Sequence, residues 1–216
     1  MHEIIARFET LRVIPVVAIE RAGDAMPLAD ALVEGGLPCA EITFRTSAAA
    51  EAIRLLAKRS DLLVGAGTVL SVDQVLTAVD AGAKFVVSPG FNPKVAGYCA
   101  ENRIAFTPGI CTPSDIEAAL EFGLDVLKFF PAEAFGGLNT LKALSGPYTA
   151  VKFIPTGGIT PLNLSAYLHF PKVWACGGTW IAKAGDISAG RFDDILQNVR
   201  QAVAIVKQAA GSGNDR

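Results

Sequence analysis

Histidine is scarce in this 216-residue chain, with only His2 and His169, so a histidine-based metal site is excluded as a working idea. The four cysteines, Cys39, Cys99, Cys111 and Cys176, show no C-x-x-C spacing, and the chain is too long for a disulfide scaffold. They read as reduced, mostly buried thiols of a cytoplasmic protein. Neither sign of charge dominates: 19 Lys+Arg face 21 Asp+Glu, which leaves no basic field for nucleic acid or an anionic membrane. No apolar run approaches the roughly 18 residues of a membrane span. The opening MHEIIARFETLR scatters its charges and has no apolar centre, so no secretory signal is expected. A G-x-G-x-x-G is missing after the first apolar run, which argues against an open dinucleotide-binding sheet.

What the chain does have is rhythm. Short apolar runs begin at Val13, Cys39, Leu62, Phe85, Ala105, Val126, Lys152 and Val173, roughly 20 to 26 residues apart. That interval suits a strand, a turn, a helix and another turn. Continuous apolarity predicts strands covered on both faces, as in parallel sheets. Between the runs, Ser47, Ser71, Thr112-Pro113 and Thr160-Pro161 read as helix starts. Gly35, Gly82 and Gly123 read as stops. Residues 2–12 predict an extra helix closing the bottom, 189–210 a long amphipathic helix, and 211–216 a frayed tail. Eight strand–helix units in one domain spanning 1–216 predict a single (β/α)8 TIM barrel with an extra N-terminal helix.

Barrel chemistry sits at the C-terminal ends of strands. Few charges interrupt the apolar runs there: Glu41, Arg45 and Lys128. Lys84 and Lys152 stand at the beginnings of their strands, just before Phe85 and Phe153, and belong at the solvent-facing bottom rim. Lys128 follows Val126 and Leu127, and alternation groups it with Phe130 and Ala132. Burial disfavours an ammonium, and a neutral amine is what imine formation with a carbonyl requires. A lysine paired structurally with Glu41 is the plain alternative. Glu41, Thr43 and Arg45 share parity, so a carboxylate can face the amine as acid or base while Arg45 at the mouth grips a substrate carboxylate. Gly65-Ala66-Gly67-Thr68 ends the third strand with small residues that leave room for a ligand. Gly157-Gly158 and Gly177-Gly178 follow the last two strands, where barrels often bind phosphate. Cys111, near the mouth, reads as an unreactive thiol.

The segments EITFRT (41–46), VGAGTVL (64–70), SPG (88–90), PGI-x-TPSD (108–115), KFFPAEAFGG (128–137), PTGGI (155–159) and GGTW (177–180) together resemble the 2-keto-3-deoxy-6-phosphogluconate (KDPG) and 4-hydroxy-2-oxoglutarate (KHG) aldolase family. The resemblance implies a class I aldolase on a TIM barrel, usually a cytoplasmic homotrimer, acting on a small 2-keto acid. It implies Lys128 as the imine-forming lysine and Glu41 as the proton-transferring base. Arg45 and Thr68 would bind the pyruvate carboxylate, and Pro89 and Phe130 would shape the pocket. Thr156 would influence stereochemistry, and Gly157, Gly158, Gly178 and Thr179 would hold the phosphate. Thr179 stands where Ser is common, and Phe44 and Phe91 where aliphatic residues are usual.

The implied reaction needs no metal or other cofactor, because the iminium itself withdraws electrons from the breaking C3–C4 bond. Two other readings remain open at this stage. One is a non-covalent phosphate-binding barrel, an isomerase or synthase, with Lys128 as a plain charge. The other is a barrel that only binds.

Overall fold

The computed structural model describes residues 2–211, so the predicted tail lies outside the described residues apart from Gly211, which belongs to the last helix. The core is built from β1 (Val13–Val17), β2 (Cys39–Thr43), β3 (Leu63–Gly67), β4 (Phe85–Val87), β5 (Ala105–Thr107), β6 (Gly109–Ile110), β7 (Val126–Phe129), β8 (Lys152–Pro155) and β9 (Cys176–Gly178). All described pairings are parallel. One sheet runs β5-β4-β3-β2-β1-β9 and the other β6-β7-β8.

The predicted eight-stranded ring is thus drawn as two sheets, and the reason is local. The fifth apolar run contains Pro108, which has no N–H to donate. Its first half, β5, pairs with β4 and its second half, β6, with β7. The eighth run is similarly reduced: only Cys176–Gly178 is regular strand, while Val173 makes an isolated bridge to Phe153 and Gly177 one to Thr156.

The helices α1 (His2–Leu11), α2 (Ala25–Gly35), α3 (Ala49–Leu56), α4 (Val72–Asp80), α5 (Pro93–Glu101), α6 (Pro113–Leu120), α7 (Gly137–Ser145), α8 (Pro161–Leu168), α9 (Ala184–Ser188) and α10 (Phe192–Gly211) alternate with the strands. Ser71 caps α4 by accepting from the Gln74 N–H, and Thr112 caps α6 with Asp115 closing the box. Three local expectations shift. Ser47 does not cap α3, which starts from Ala48. The left-handed stop of α2 is Gly36, at φ +93, and not Gly35. Gly35 serves contact instead, because a β-carbon there would overlap Val199 of α10. The long terminal helix is present but starts at Phe192 instead of 189, after the short α9 and Gly190 at φ +70.

Apolar side chains separate into two cores by strand parity. Outward-facing residues such as Val17, Ile42, Leu127 and Phe129 pack under the helices. Their neighbours Ile14, Cys39, Leu63, Phe85, Val126 and Ile154 point to the other side of the sheets and meet Phe8 of α1. Phe8 is fully buried and packs edge-on against Phe85, ring centroids 4.9 Å apart. Helix α1 therefore plugs the N-terminal ends of the strands, as the sequence pattern predicts. Burial of such a ring contributes about 1.5–3 kcal/mol.

Candidate active site

One step further along each strand, the inward-facing residues change from apolar to polar. Glu41 on β2, Thr107 on β5, Lys128 on β7 and Thr156 just past β8 line a common chamber above Phe8, together with Ile14 and Val87. Lys128 Nζ lies 3.3 Å from Glu41 Oε1, with side chains only 7% and 5% exposed. Two charges in so dry a place persist when each neutralises the other. Phe130 adds its ring face, whose centroid is 5.2 Å from the amine. The alternation that groups Lys128 with Phe130 ends there. The strand stops at Phe129, and Ala132 packs into the outer core.

Neighbouring glycines make the chamber possible. A β-carbon on Gly67 would overlap the Glu41 carboxylate, one on Gly65 the Phe85 ring, and one on Gly177 the Thr156 hydroxyl. The small residues ending β3 thus clear space for protein side chains, which corrects the expectation that Gly65 and Gly67 leave room for a ligand.

The mouth gathers most of the remaining candidates. Strand β2 ends at Thr43, and Arg45 lies beyond it, exposed, with Nε donating to Thr43 Oγ1 at 3.1 Å. Arg45, Thr179 and Lys183 line one cavity of about 280 Å³. Two cations there and no carboxylate favour an anionic ligand. Thr68 is half-buried with φ +58, immediately after β3. Pro89 is half-buried past β4, its carbonyl so close to Gly109 that a β-carbon there would strike it. Gly157 and Gly158 both take left-handed φ, +96 and +83, and sit against Pro131 and Glu133. Glu133 is held in turn by the hydroxyl of buried Tyr167, and its N–H donates to Gly157 O at 3.0 Å. Gly178 is buried beside the Trp180 indole.

The bottom-rim lysines stand apart. Lys84 is exposed, and Lys152 Nζ donates to Pro171 O at 3.3 Å. A cavity of about 480 Å³ is also at that end, between α1, Pro38 and Val203, away from the amine–carboxylate pair. All four cysteines are free, and burial raises their thiols, Cys99 to about 12. Cys111 is raised also by the Asp115 carboxylate beside it, which fits the reading of an unreactive thiol. Among the described residues no group of three or more His, Cys, Asp or Glu could hold a metal ion, and no helix is long and apolar enough to cross a membrane.

Sequence reasoning passed over Thr107, Glu133, Tyr167 and Lys183. Thr107 was accessible to it, since alternation from Ala105 along the fifth run puts its side chain inside. Glu133 and Lys183 depend on loop geometry, and Tyr167 on how α8 packs against the loop that carries Glu133.

The family model described as KDPG and KHG aldolase matches residues 4–198, a span that contains every candidate above. The chain belongs to the KDPG and KHG aldolase family. A relative from Treponema pallidum (strain Nichols), 2-dehydro-3-deoxy-phosphogluconate aldolase, is 51% identical over 95% of this chain and 99% of its own. The 2-keto-3-deoxy-6-phosphogluconate aldolase of Zymomonas mobilis ZM4, solved with 3-phosphoglycerate, superposes with a TM-score of 0.89 at 39% identity, covering 95% of this chain and 97% of its own. The KDPG aldolase from Legionella pneumophila, with pyruvate captured as a covalent carbinolamine, gives a TM-score of 0.88 at 39% identity, over 90% and 95%. With the family comes the reaction class, an aldolase that cleaves carbon–carbon bonds.

Proposed function

We propose that this KDPG/KHG-family aldolase cleaves 2-keto-3-deoxy-6-phosphogluconate to pyruvate and glyceraldehyde 3-phosphate through an imine on Lys128, and 4-hydroxy-2-oxoglutarate to pyruvate and glyoxylate by the same route. The observation that carries the reading is the buried Lys128–Glu41 pair, an amine and a proton acceptor 3.3 Å apart. The carbinolamine captured in the Legionella pneumophila relative supports it.

In this reading Lys128 attacks the C2 ketone, and loss of water leaves a protonated imine. Glu41 takes the C4 hydroxyl proton as the C3–C4 bond breaks, and the electron pair moves into the iminium to give an enamine. A proton returned to C3 and hydrolysis release pyruvate. Arg45 and Thr68 orient the pyruvate carboxylate, and Pro89, Phe130 and Thr156 shape the pocket around C2 to C4. Gly157, Gly158, Gly178 and Thr179 receive the phosphate. The cationic mouth lined by Arg45 and Lys183 is consistent with a substrate charged at both ends. The iminium supplies the polarisation, so the chemistry calls for no metal or cofactor.

We also infer one closed (β/α)8 barrel. Joining β5 to β6 across Pro108, and β8 to β9 through the Phe153–Val173 and Thr156–Gly177 bridges, returns the strand order to β1. A single domain, a homotrimer and a cytoplasmic location complete the reading. The exposed Leu76 and Val79 on α4 offer apolar surface for a partner copy.

The direct test is reduction with sodium borohydride in the presence of pyruvate, followed by peptide mass analysis. A stable adduct on Lys128 supports the reading, and an unmodified folded protein removes it.

A further inference from the structure

Glu133, in the turn after β7, ties together segments that are distant in sequence. Its N–H donates to Gly157 O at 3.0 Å, and its Oε1 accepts from the hydroxyl of Tyr167 on α8. A β-carbon at Gly158 would overlap its Cβ and Cγ. One at Gly137, the first residue of α7, would lie 2.8 Å from its Oε1. The partner hydroxyl is well placed to hold it. Tyr167 is buried, and burial together with the Glu133 carboxylate keeps its phenol protonated, and so a donor, well above its ordinary value.

The loop that Glu133 touches needs such support. Gly157 and Gly158 both take left-handed φ, and consecutive glycines have the widest choice of backbone conformation. Their peptide groups keep one orientation only where neighbouring segments impose it. Here the carbonyls of Thr156, Gly157 and Gly158 accept from Ala132 N–H at 2.8 Å, Glu133 N–H at 3.0 Å and Asn163 Nδ2 at 3.0 Å. The Glu133 side chain fills the space beside the Gly158 Cα, and the buried phenol holds its head.

We propose that the Tyr167–Glu133 pair is a buckle that fixes the Gly157–Gly158 loop, so that its N–H groups meet the substrate phosphate in one orientation. The pair thereby sets the preference for a phosphorylated over an unphosphorylated 2-keto acid. Both are positioning residues, acting through the loop. The inference rests on the reading above that this loop receives the phosphate, as backbone N–H groups do for anions.

A purely electrostatic role for Glu133 has the opposite sign. A carboxylate near a phosphate site repels the anion, so its removal would then tighten binding of the phosphorylated substrate.

The test measures kcat and KM for KDPG and for KHG, which carries no phosphate. Glu133→Ala and Tyr167→Phe are each expected to lower kcat/KM for KDPG about tenfold, through KM, while KHG stays within about twofold. Glu133→Gln keeps an acceptor for the phenol and is expected to retain the preference. The double variant Glu133→Ala/Tyr167→Phe is expected to lose no more than either single one, because the two groups act as a unit. Tighter use of KDPG in Glu133→Ala overturns the proposal, as do equal losses on both substrates, no loss, or losses that multiply in the double variant.

Borohydride trapping of pyruvate on Lys128 does not involve the phosphate end, so its rate is expected to be unaltered in every variant. Slower trapping overturns the proposal, because the pair would then support the barrel at large. Glu133 is exposed, so Glu133→Ala reads the outcome even where Tyr167→Phe fails to fold. If the unaltered protein shows no preference for KDPG over KHG, the phosphate reading falls and the buckle with it. A preference that survives both substitutions removes the buckle alone.

Discussion

Gly67 on β3 lies against the carboxylate of Glu41 on β2, so closely that a β-carbon at Gly67 would fall on Oε1. The two strands pair in register, with Thr43 opposite Gly67 and Glu41 opposite Gly65. The carboxylate therefore leans along the sheet into the space a side chain would fill. Gly67→Ala is expected to displace Glu41 and to cost about 1–3 kcal/mol of stability through overpacking. Turnover should fall more steeply than thermal stability suggests, because the proton acceptor has moved. Parallel kcat and melting measurements check this, and an alanine variant with full activity would refute it.

Lys128 and Lys152 share the inward parity of neighbouring strands but lie at different heights. Lys128→Ala is expected to abolish turnover and to destabilise the fold by about 3–5 kcal/mol, since Glu41 stays buried without its partner. Lys152→Ala, which removes one hydrogen bond to Pro171 O, should retain most activity. Equal losses of kcat in the two variants would contradict the assignment.

Glu41→Gln keeps the shape of the side chain and removes its proton affinity. We expect a fall in kcat of about 10²–10⁴, the usual range for one acid–base group. Borohydride should still trap pyruvate on Lys128 in this variant, only more slowly. An unchanged kcat would show that another group moves the proton.

Asp115 holds the start of α6 by accepting from the N–H groups of Cys111 and Thr112 at 3.0 and 2.9 Å. Burial pushes its carboxyl upward, but these hydrogen bonds outweigh it and leave it below the usual carboxylate value. Such a group stabilises the fold above the ordinary carboxylate value, and the contribution is lost as pH falls through the lowered one. Asp115→Ala should cost about 0.5–2 kcal/mol at neutral pH and less in acid. Urea unfolding across that range reads the difference directly.

Tyr167 has the opposite sign. Burial and then the Glu133 carboxylate raise its phenol well above the usual value near 10. Its stabilisation is complete below that ordinary value and is lost as pH rises through the raised one. Tyr167→Phe is expected to cost about 1.5–3 kcal/mol, the range for a hydrogen bond to a charged group. It should also show a flatter alkaline limb in thermal melts.

Much of the arrangement was legible before any coordinates. Alternation alone separated Lys128 from Leu127 and Phe129, and position along the strand separated the two bottom-rim lysines from the one inside. Thr112 and Ser71 announced their helices, because a cap needs only its own neighbours. Ser47 did not, since a serine near a helix start caps it only if its backbone is extended at the right residue. Gly65 and Gly67 were visible as small residues, but their purpose was misread: which side chain occupies the freed space depends on the strand alongside.

By itself the sequence determined the repeating strand–helix pattern, the two faces of each strand, the family and the polar residues fit for imine chemistry. These follow from periodicity and residue type, which act within a few positions along the chain. Only the tertiary structure decided that Glu41 and Lys128, 87 positions apart, meet at 3.3 Å, and that Thr107 shares their chamber. Strand register and close packing set those distances, and no local pattern encodes a register between segments so far apart.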